Sequence, residues 1–228
     1  MGVLIKGISN SVLIDGLHKK YKEEYLFPSP ELVQHITEDL QPDILLFTHH
    51  HKDHYSSNLV KQFLEKNDGS AVFGPEQVTE TLKEYEDRTI TISTKDYTKQ
   101  SIHLKDIRIT ALKVDHAGIK AQTIQNVGYI IYLDNKIILH LGDTGWMEDK
   151  NLFSKLKLKE ENIDIAILPY WMLLDTKAPE YIANHIDPKI VIANHIPTGI
   201  SNIELAKLKR KYPKVYFLTE PESKIQLN

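Results

Sequence analysis

Directly after the apolar run Asp43-Ile44-Leu45-Leu46-Phe47 the chain reads Thr48-His49-His50-His51-Lys52-Asp53-His54. A short apolar run bounded by polar residues is the pattern of a buried strand, so this cluster stands where a strand gives way to a loop. Alternate side chains of extended backbone share a face. His49, His51 and Asp53 are therefore expected to point roughly one way and His54 the other. One short loop then offers nitrogen ligands to one ion and a carboxylate with an imidazole to a second. Such donors suit zinc, and also manganese or iron. A purification tag would look different, because tags sit at termini and lack the aspartate.

With 228 residues and 41% hydrophobic content, the chain is long enough for one domain, residues 1–228, with a substantial core. The net charge is -3 and no basic block stands out, which argues against nucleic acid as a partner. There is no cysteine, which removes disulfides, zinc–thiolate sites and thiol catalysis together. No stretch approaches the roughly 20 apolar residues of a membrane span. No signal peptide is visible, so a cytoplasmic location is expected. The strand-like start Gly2-Val3-Leu4-Ile5-Lys6 also fits a chain whose leader has been removed, which would be periplasmic or secreted.

Apolar β-branched runs alternate with amphipathic ones, which predicts an α/β or α+β layered domain. The strands are expected at 3–6, 11–15, 44–48, 71–73, 89–92, 101–104, 107–114, 127–133, 136–141, 163–168, 190–193 and 215–218. Leu133-Asp134-Asn135-Lys136 reads as a tight hairpin, since Asp and Asn tolerate positive φ. Helices are expected to start at Ser29-Pro30, Ser56-Ser57, Pro75, Glu148, Pro179 and Ser201, where serine caps or a first-turn proline fit. The alternating Lys155–Lys159 segment reads as a solvated helix face.

Three further residues share the address of the first cluster. His116 follows the run 107–114, Asp143 follows 136–141 within Leu141-Gly142-Asp143-Thr144-Gly145, and His195 follows 190–193. Strand ends gathered at one sheet rim are a usual place for a site on a rigid scaffold. Singly, each such residue reads as structural; four positions with one local context do not.

With these residues in view, the chain resembles the metallo-β-lactamase-fold hydrolase superfamily. His-x-His-x-Asp-His at 49–54 is that family's signature, and His116, Asp143 and His195 follow in its order and approximate spacing. The resemblance implies a four-layer αβ/βα sandwich, two mixed β-sheets flanked by helices with metals at one edge. It implies that His49, His51 and His116 bind one metal, that Asp53, His54 and His195 bind a second, and that Asp143 bridges them. Asp15 matches an early aspartate that supports the histidine loop without being a ligand. Two divalent ions, zinc first with manganese or iron as alternatives, would activate a shared hydroxide toward a small ester, lactone or phosphodiester, and Asp53 would shuttle a proton to the leaving group.

Lack of cysteine, presence of Asp143, His51 in place of a glutamate and the short tail after His195 separate the chain from several sister branches. The chain is similar to the compact branch of ascorbate-phosphate lactonases and phospholipase-D-type N-acyl-phosphatidylethanolamine hydrolases. The strand that opens the fold there is shortened or missing before Gly2, which leaves assembly into a homo-oligomer open. Around the rim, Tyr170 is placed to donate to a substrate oxygen or to act as an aromatic lid, and Trp146 to form a pocket wall. His140 is directed into the sandwich behind Asp143, and Asn194 either bonds a ligand or caps a turn. His50 should face away, and His18 has no metal-like context. The expected function is thus a small-molecule metal-dependent hydrolase. A non-catalytic metal-binding scaffold or sensor and a metal-dependent nuclease are the alternatives; the latter would need a basic substrate path.

Overall fold

The structure, a computed structural model, describes residues 2–21, 24–118, 121, 123–145 and 151–226. Period-two alternation decides its architecture. In β2 (Ser11–Ile14), β3 (Ile44–Leu46) and β4 (Ala71–Pro75), Val12, Ile14, Ile44, Leu46 and Phe73 face one way and Leu13, Leu45 and Val72 the other. Both faces are buried, as parallel strands require. With β1 (Val3–Lys6) and β5 (Thr89–Ile92) they form a five-stranded sheet in chain order, β1 antiparallel to β2 and the rest parallel.

The second sheet contains β6 (Lys99–Leu104), β7 (Ile107–Lys113), β8 (Val127–Leu133), β9 (Lys136–His140), β10 (Ile165–Pro169), β11 (Ile190–Asn194) and β12 (Val215–Phe217), in the order β12-β11-β10-β9-β8-β7-β6. It is antiparallel from β6 to β9 and parallel from β9 to β12. Ile109, Ala111, Tyr129, Ile131, Ile165 and Ile167 meet the inner face of the first sheet. Leu112, Ile130, Leu139, Ala166 and Leu168 pack outward on Leu152, Phe153, Ala178 and Ile182 of the flanking helices. Helix Ser57–Lys66 covers the outer face of the first sheet through Val60, Phe63 and Leu64. The layers are therefore helix, sheet, sheet, helix. Each large apolar side chain so buried contributes ~1.5–3 kcal/mol, which makes the scaffold rigid where the strands end.

Strand direction then sets one rim apart. Because β7 and β9 both run against β8, they share a direction, and β10 and β11 run with β9. The C-terminal ends of β7, β9 and β11 thus lie together, and Tyr129 Oη donates to the Phe47 carbonyl just past β3 at 2.7 Å. Val127 N–H donates to the Thr48 carbonyl at 2.9 Å, which ties the two sheets at this rim.

Most expected elements are found within a residue or two. The β8–β9 turn has Asp134 and Asn135 at φ 48° and 60°. Helix Asn202–Lys211 starts with a capping box, Ser201 and Glu204 bonding reciprocally. The Lys155–Lys159 segment is not one helix face. It breaks at Lys157 (φ 53°), between a turn ending at Lys155 and a 3-10 turn at Leu158–Glu161, because burial of both Leu156 and Leu158 needs a reversal there. The expected helix start at Glu148 lies outside the described residues. No helix among the described residues is long and apolar enough to cross a membrane.

At the opposite rim Asp43 accepts from Ser11 N–H at 2.8 Å and pairs with Lys105 of the β6–β7 turn, a latch between the sheets. Burial opposes its ionisation, but the bonds from Lys105 and Ser11 outweigh burial and hold its carboxyl below the usual range. A depressed folded pKa stabilises the fold above the unfolded value of ~3.9, and that contribution is lost as pH falls through the folded value. Asp43→Asn should therefore lower thermal stability at neutral pH and flatten the loss of stability below about pH 4; an acid limb of unchanged slope would refute the latch. At the site rim Gly142 has φ 57°, and a Cβ there would lie 2.6 Å from Asn126 Oδ1 and 2.8 Å from Thr48 Cβ. Gly142→Ala should cost about 2 kcal/mol or more, a Tm drop of roughly 4–8 °C in calorimetry. A Tm within a degree of the parent would show that the rim yields freely.

Candidate metal centre

The chain does not stay extended through the histidine cluster. After His51 it turns, with His54 and Tyr55 N–H both donating to the His51 carbonyl at 2.9 and 2.8 Å. His54 therefore does not point away from its neighbours, as alternation predicts; the turn brings its ring to 4.0 Å from that of His49.

Asp15 organises this loop from behind. It is fully buried at the end of β2, with φ 49°, a strained conformation for a residue with a side chain. Its carboxylate accepts from Thr48 N–H at 2.8 Å, from the Thr48 hydroxyl at 2.6 Å and from His54 Nδ1 at 2.8 Å. Since the Thr48 hydroxyl gives its proton to Asp15, its oxygen accepts from His49 Nδ1, 3.0 Å away. His116 Nδ1 donates to the Ala117 carbonyl at 2.9 Å. These bonds assign the Nδ1–H form, so His49, His54 and His116 each direct an Nε2 lone pair inward.

What those nitrogens face is the test of fit. Nε2 of His54, His116 and His195 is buried without a hydrogen-bond partner, a condition that costs free energy unless something else occupies the lone pair. Asp143 stands among them: its carboxylate oxygens lie 3.3 Å from His54 Nε2, 3.2 Å from His195 Nε2, 3.7 Å from His116 Nε2 and 3.9 Å from His49 Nε2. His49 Nε2 also lies 3.1 Å from His51 Nδ1, a separation that suits either a shared cation or a hydrogen bond donated by His51 Nδ1. Neighbouring donors of a tetrahedral zinc site, with bonds of about 2.0–2.1 Å, are separated by roughly 3.3 Å. The donors fall into three overlapping groups, His49–His51–His116, His49–His54–Asp143 and Asp53–His54–His195. The residues present fit divalent metal.

The electrostatics agree. Burial by itself disfavours a charged His54, yet Asp143 and Asp15 raise its pKa to about 10, so without metal Nε2 takes a proton that a bound cation would displace. Burial likewise opposes an ionised Asp143, but His54 and His195 hold its carboxyl well below the usual range. His49 is kept neutral, mainly by burial. Such a centre attracts positive charge into a dry pocket.

Behind Asp143, His140 is buried, and burial lowers its pKa to about 4. Its Nδ1 accepts from Gly142 N–H at 3.1 Å, so Nε2 must carry the proton. The Asn194 side-chain amide lies 3.2 Å from that Nε2 and, turned over, presents Oδ1 as the acceptor it otherwise leaves unpaired. His140 thus joins the loop of Asp143 to the residue before His195. His195 itself turns off β11 at φ 57°.

All seven expected ligand candidates come together, with Asp15, His140 and Asn194 directly behind them. His50 belongs to none of the donor groups. Tyr170 opens a 3-10 turn after β10 and lies half-buried, 6.0 Å from the ring of Trp171. Trp146 lies outside the described residues. Two residues had no sequence signal of a role. Tyr25, in the polar stretch before the first helix, places its ring 4.4 Å from that of His195. His18 is buried, its Nδ1 donating to the Lys19 carbonyl at 3.2 Å, and burial lowers its pKa to about 3.

Comparison with known proteins places this geometry. Residues 3–195 match the model of the β-lactamase superfamily domain. A UPF0173 metal-dependent hydrolase of Ligilactobacillus salivarius is 30% identical over 169 residues, 71% of this chain and 69% of that protein. One from Thermoplasma acidophilum is 29% identical over 165 residues, 71% and 68% of the two chains. Among solved structures, Igni18, a metallo hydrolase from Ignicoccus hospitalis, superposes with a TM-score of 0.64 at 16% identity, covering 100% of this chain and 95% of the other. At that identity the likeness concerns the fold alone. The chain belongs to the β-lactamase superfamily, among relatives that are metal-dependent hydrolases.

Proposed function

We propose that this chain is a dinuclear zinc-dependent hydrolase of a small ester, lactone or phosphodiester. The observation that carries the reading is the convergence of three buried, unpartnered Nε2 atoms, those of His54, His116 and His195, on the Asp143 carboxylate. His49, His51 and His116 would hold one ion and Asp53, His54 and His195 the other, with Asp143 shared between them. Imidazole-rich donors favour zinc over manganese or iron. Ions so held lower the pKa of a shared water toward neutrality and polarise the scissile group.

The side chains supply the remaining roles. Asp53 lies 3.8 Å from His195 Nε2 and 4.0 Å from His54 Nε2; its carboxylate would take the proton of the attacking water and return it to the leaving oxygen. Asp15 and Thr48 keep His54 and His49 in the Nδ1–H form. His140 keeps the Asp143 and His195 loops in register. Tyr170, half-buried beside Trp171, would be a substrate neighbour. The unit is taken as residues 1–228, acting on a small molecule.

Elemental analysis should find about two ions per parent chain. Asp143→Ala should hold one or none, lose at least ~100-fold in turnover on a lactone and phosphodiester panel, and keep its circular dichroism. A variant with both ions and the parental rate would refute the bridging role. His140→Ala should weaken zinc binding ~10–100-fold in a competition titration, with partial rescue by His140→Gln, which can accept and donate at similar points. Equal affinity in all three proteins would show that His140 only fills space.

A further inference from the structure

One side of the centre is unlike the others. Imidazoles and carboxylates crowd most of it, but His195 is met by two aromatic rings from separate parts of the chain. Tyr25 approaches edge-on with centroids 4.4 Å apart, and Trp171 edge-on at 4.9 Å. Trp171 is fixed by its Nε1–H, which donates to the Thr144 carbonyl at 3.1 Å. Tyr25 is fixed through its backbone neighbour: Thr198 N–H, on the loop after His195, donates to the Glu24 carbonyl at 2.8 Å. Neither ring is fully buried in the core; both are partly buried, Trp171 resting on the apolar cluster behind it.

The Tyr25 hydroxyl makes no hydrogen bond among the described residues. A phenol hydroxyl keeps its proton at physiological pH, so it is a donor beside His195. The two aromatic rings offer a substrate apolar contact as the attraction.

We propose that Tyr25 and Trp171 form a substrate subsite beside His195 for an apolar acyl or aryl group next to the bond that is cleaved, with the Tyr25 hydroxyl donating to a substrate oxygen. This rests on the hydrolase reading and narrows its substrate class to compounds that carry such a group. Tyr25 is then a specificity-determining residue contributed by the segment between β2 and the first helix.

The test uses the zinc-loaded full chain with phenylacetone, a ketone that hydrolysis cannot consume, and acetone as its truncated partner. Dissociation constants come from NMR titration, and metal content is measured on the same samples. Phenylacetone should bind at least about tenfold more tightly than acetone, from burial of the ring. Tyr25→Phe should weaken phenylacetone about five- to tenfold, the worth of one net hydrogen bond, with metal content unchanged. On phenyl acetate the same variant should raise KM more than it lowers kcat. Equal binding of the two ketones, or a Tyr25→Phe variant that binds as the parent does, overturns the subsite whatever the metal content. A chain that holds no zinc but binds phenylacetone through Tyr25 supports the subsite and removes the hydrolase reading instead.

Discussion

The carboxylate of Asp15 is the point on which the centre depends. It is fully buried, bonds to no lysine or arginine among the described residues, and accepts from Thr48 N–H, Thr48 Oγ1 and His54 Nδ1. Each of these bonds ends a strand, fixes a tautomer or does both. Taking the Thr48 amide draws the chain out of the ladder after β3, and taking the hydroxyl proton passes orientation to His49. A buried anion with strong, short donors is costly to disturb, since any lost donor leaves charge without compensation. That cost keeps the histidine loop in one arrangement.

Conformational strain concentrates at the same rim. Asp15 (φ 49°), Gly142 (φ 57°) and His195 (φ 57°) each leave a strand end in the left-handed region. Non-glycine residues there cost ~1–3 kcal/mol apiece, and they persist only where surrounding packing dictates them. The apolar layers do so: Phe47, Tyr129, Leu141 and Leu168 are all essentially inaccessible to solvent around the departing chain. The rim thus holds crowded, unpartnered nitrogen atoms that no isolated loop would keep together.

Much of this was legible in the residues. Period-two apolar runs located the strands because a two-faced buried sheet leaves little freedom in which residues go inside, and Asp134-Asn135 located the β8–β9 turn because few residues accept positive φ. The His-x-His-x-Asp-His run and the strand-end positions of His116, Asp143 and His195 were likewise visible, since donors must sit at strand ends to share a rim. Two features were not. The turn after His51, which brings His54 back beside His49, depends on the His51 carbonyl taking two amide protons, and alternation does not anticipate that. Nor did the polar stretch around Tyr25 show where its ring would lie, because its position is set by Glu24 bonding to a loop 174 residues away.

By itself, then, the sequence determined which side chains are candidate metal donors and which strands deliver them, because donor type and apolar periodicity are local properties. Only the tertiary structure decided which donors meet, which nitrogen of each ring faces inward and which rings stand beside His195. Those follow from contacts between residues far apart in the chain, whose distances are settled when the two sheets close on a common core.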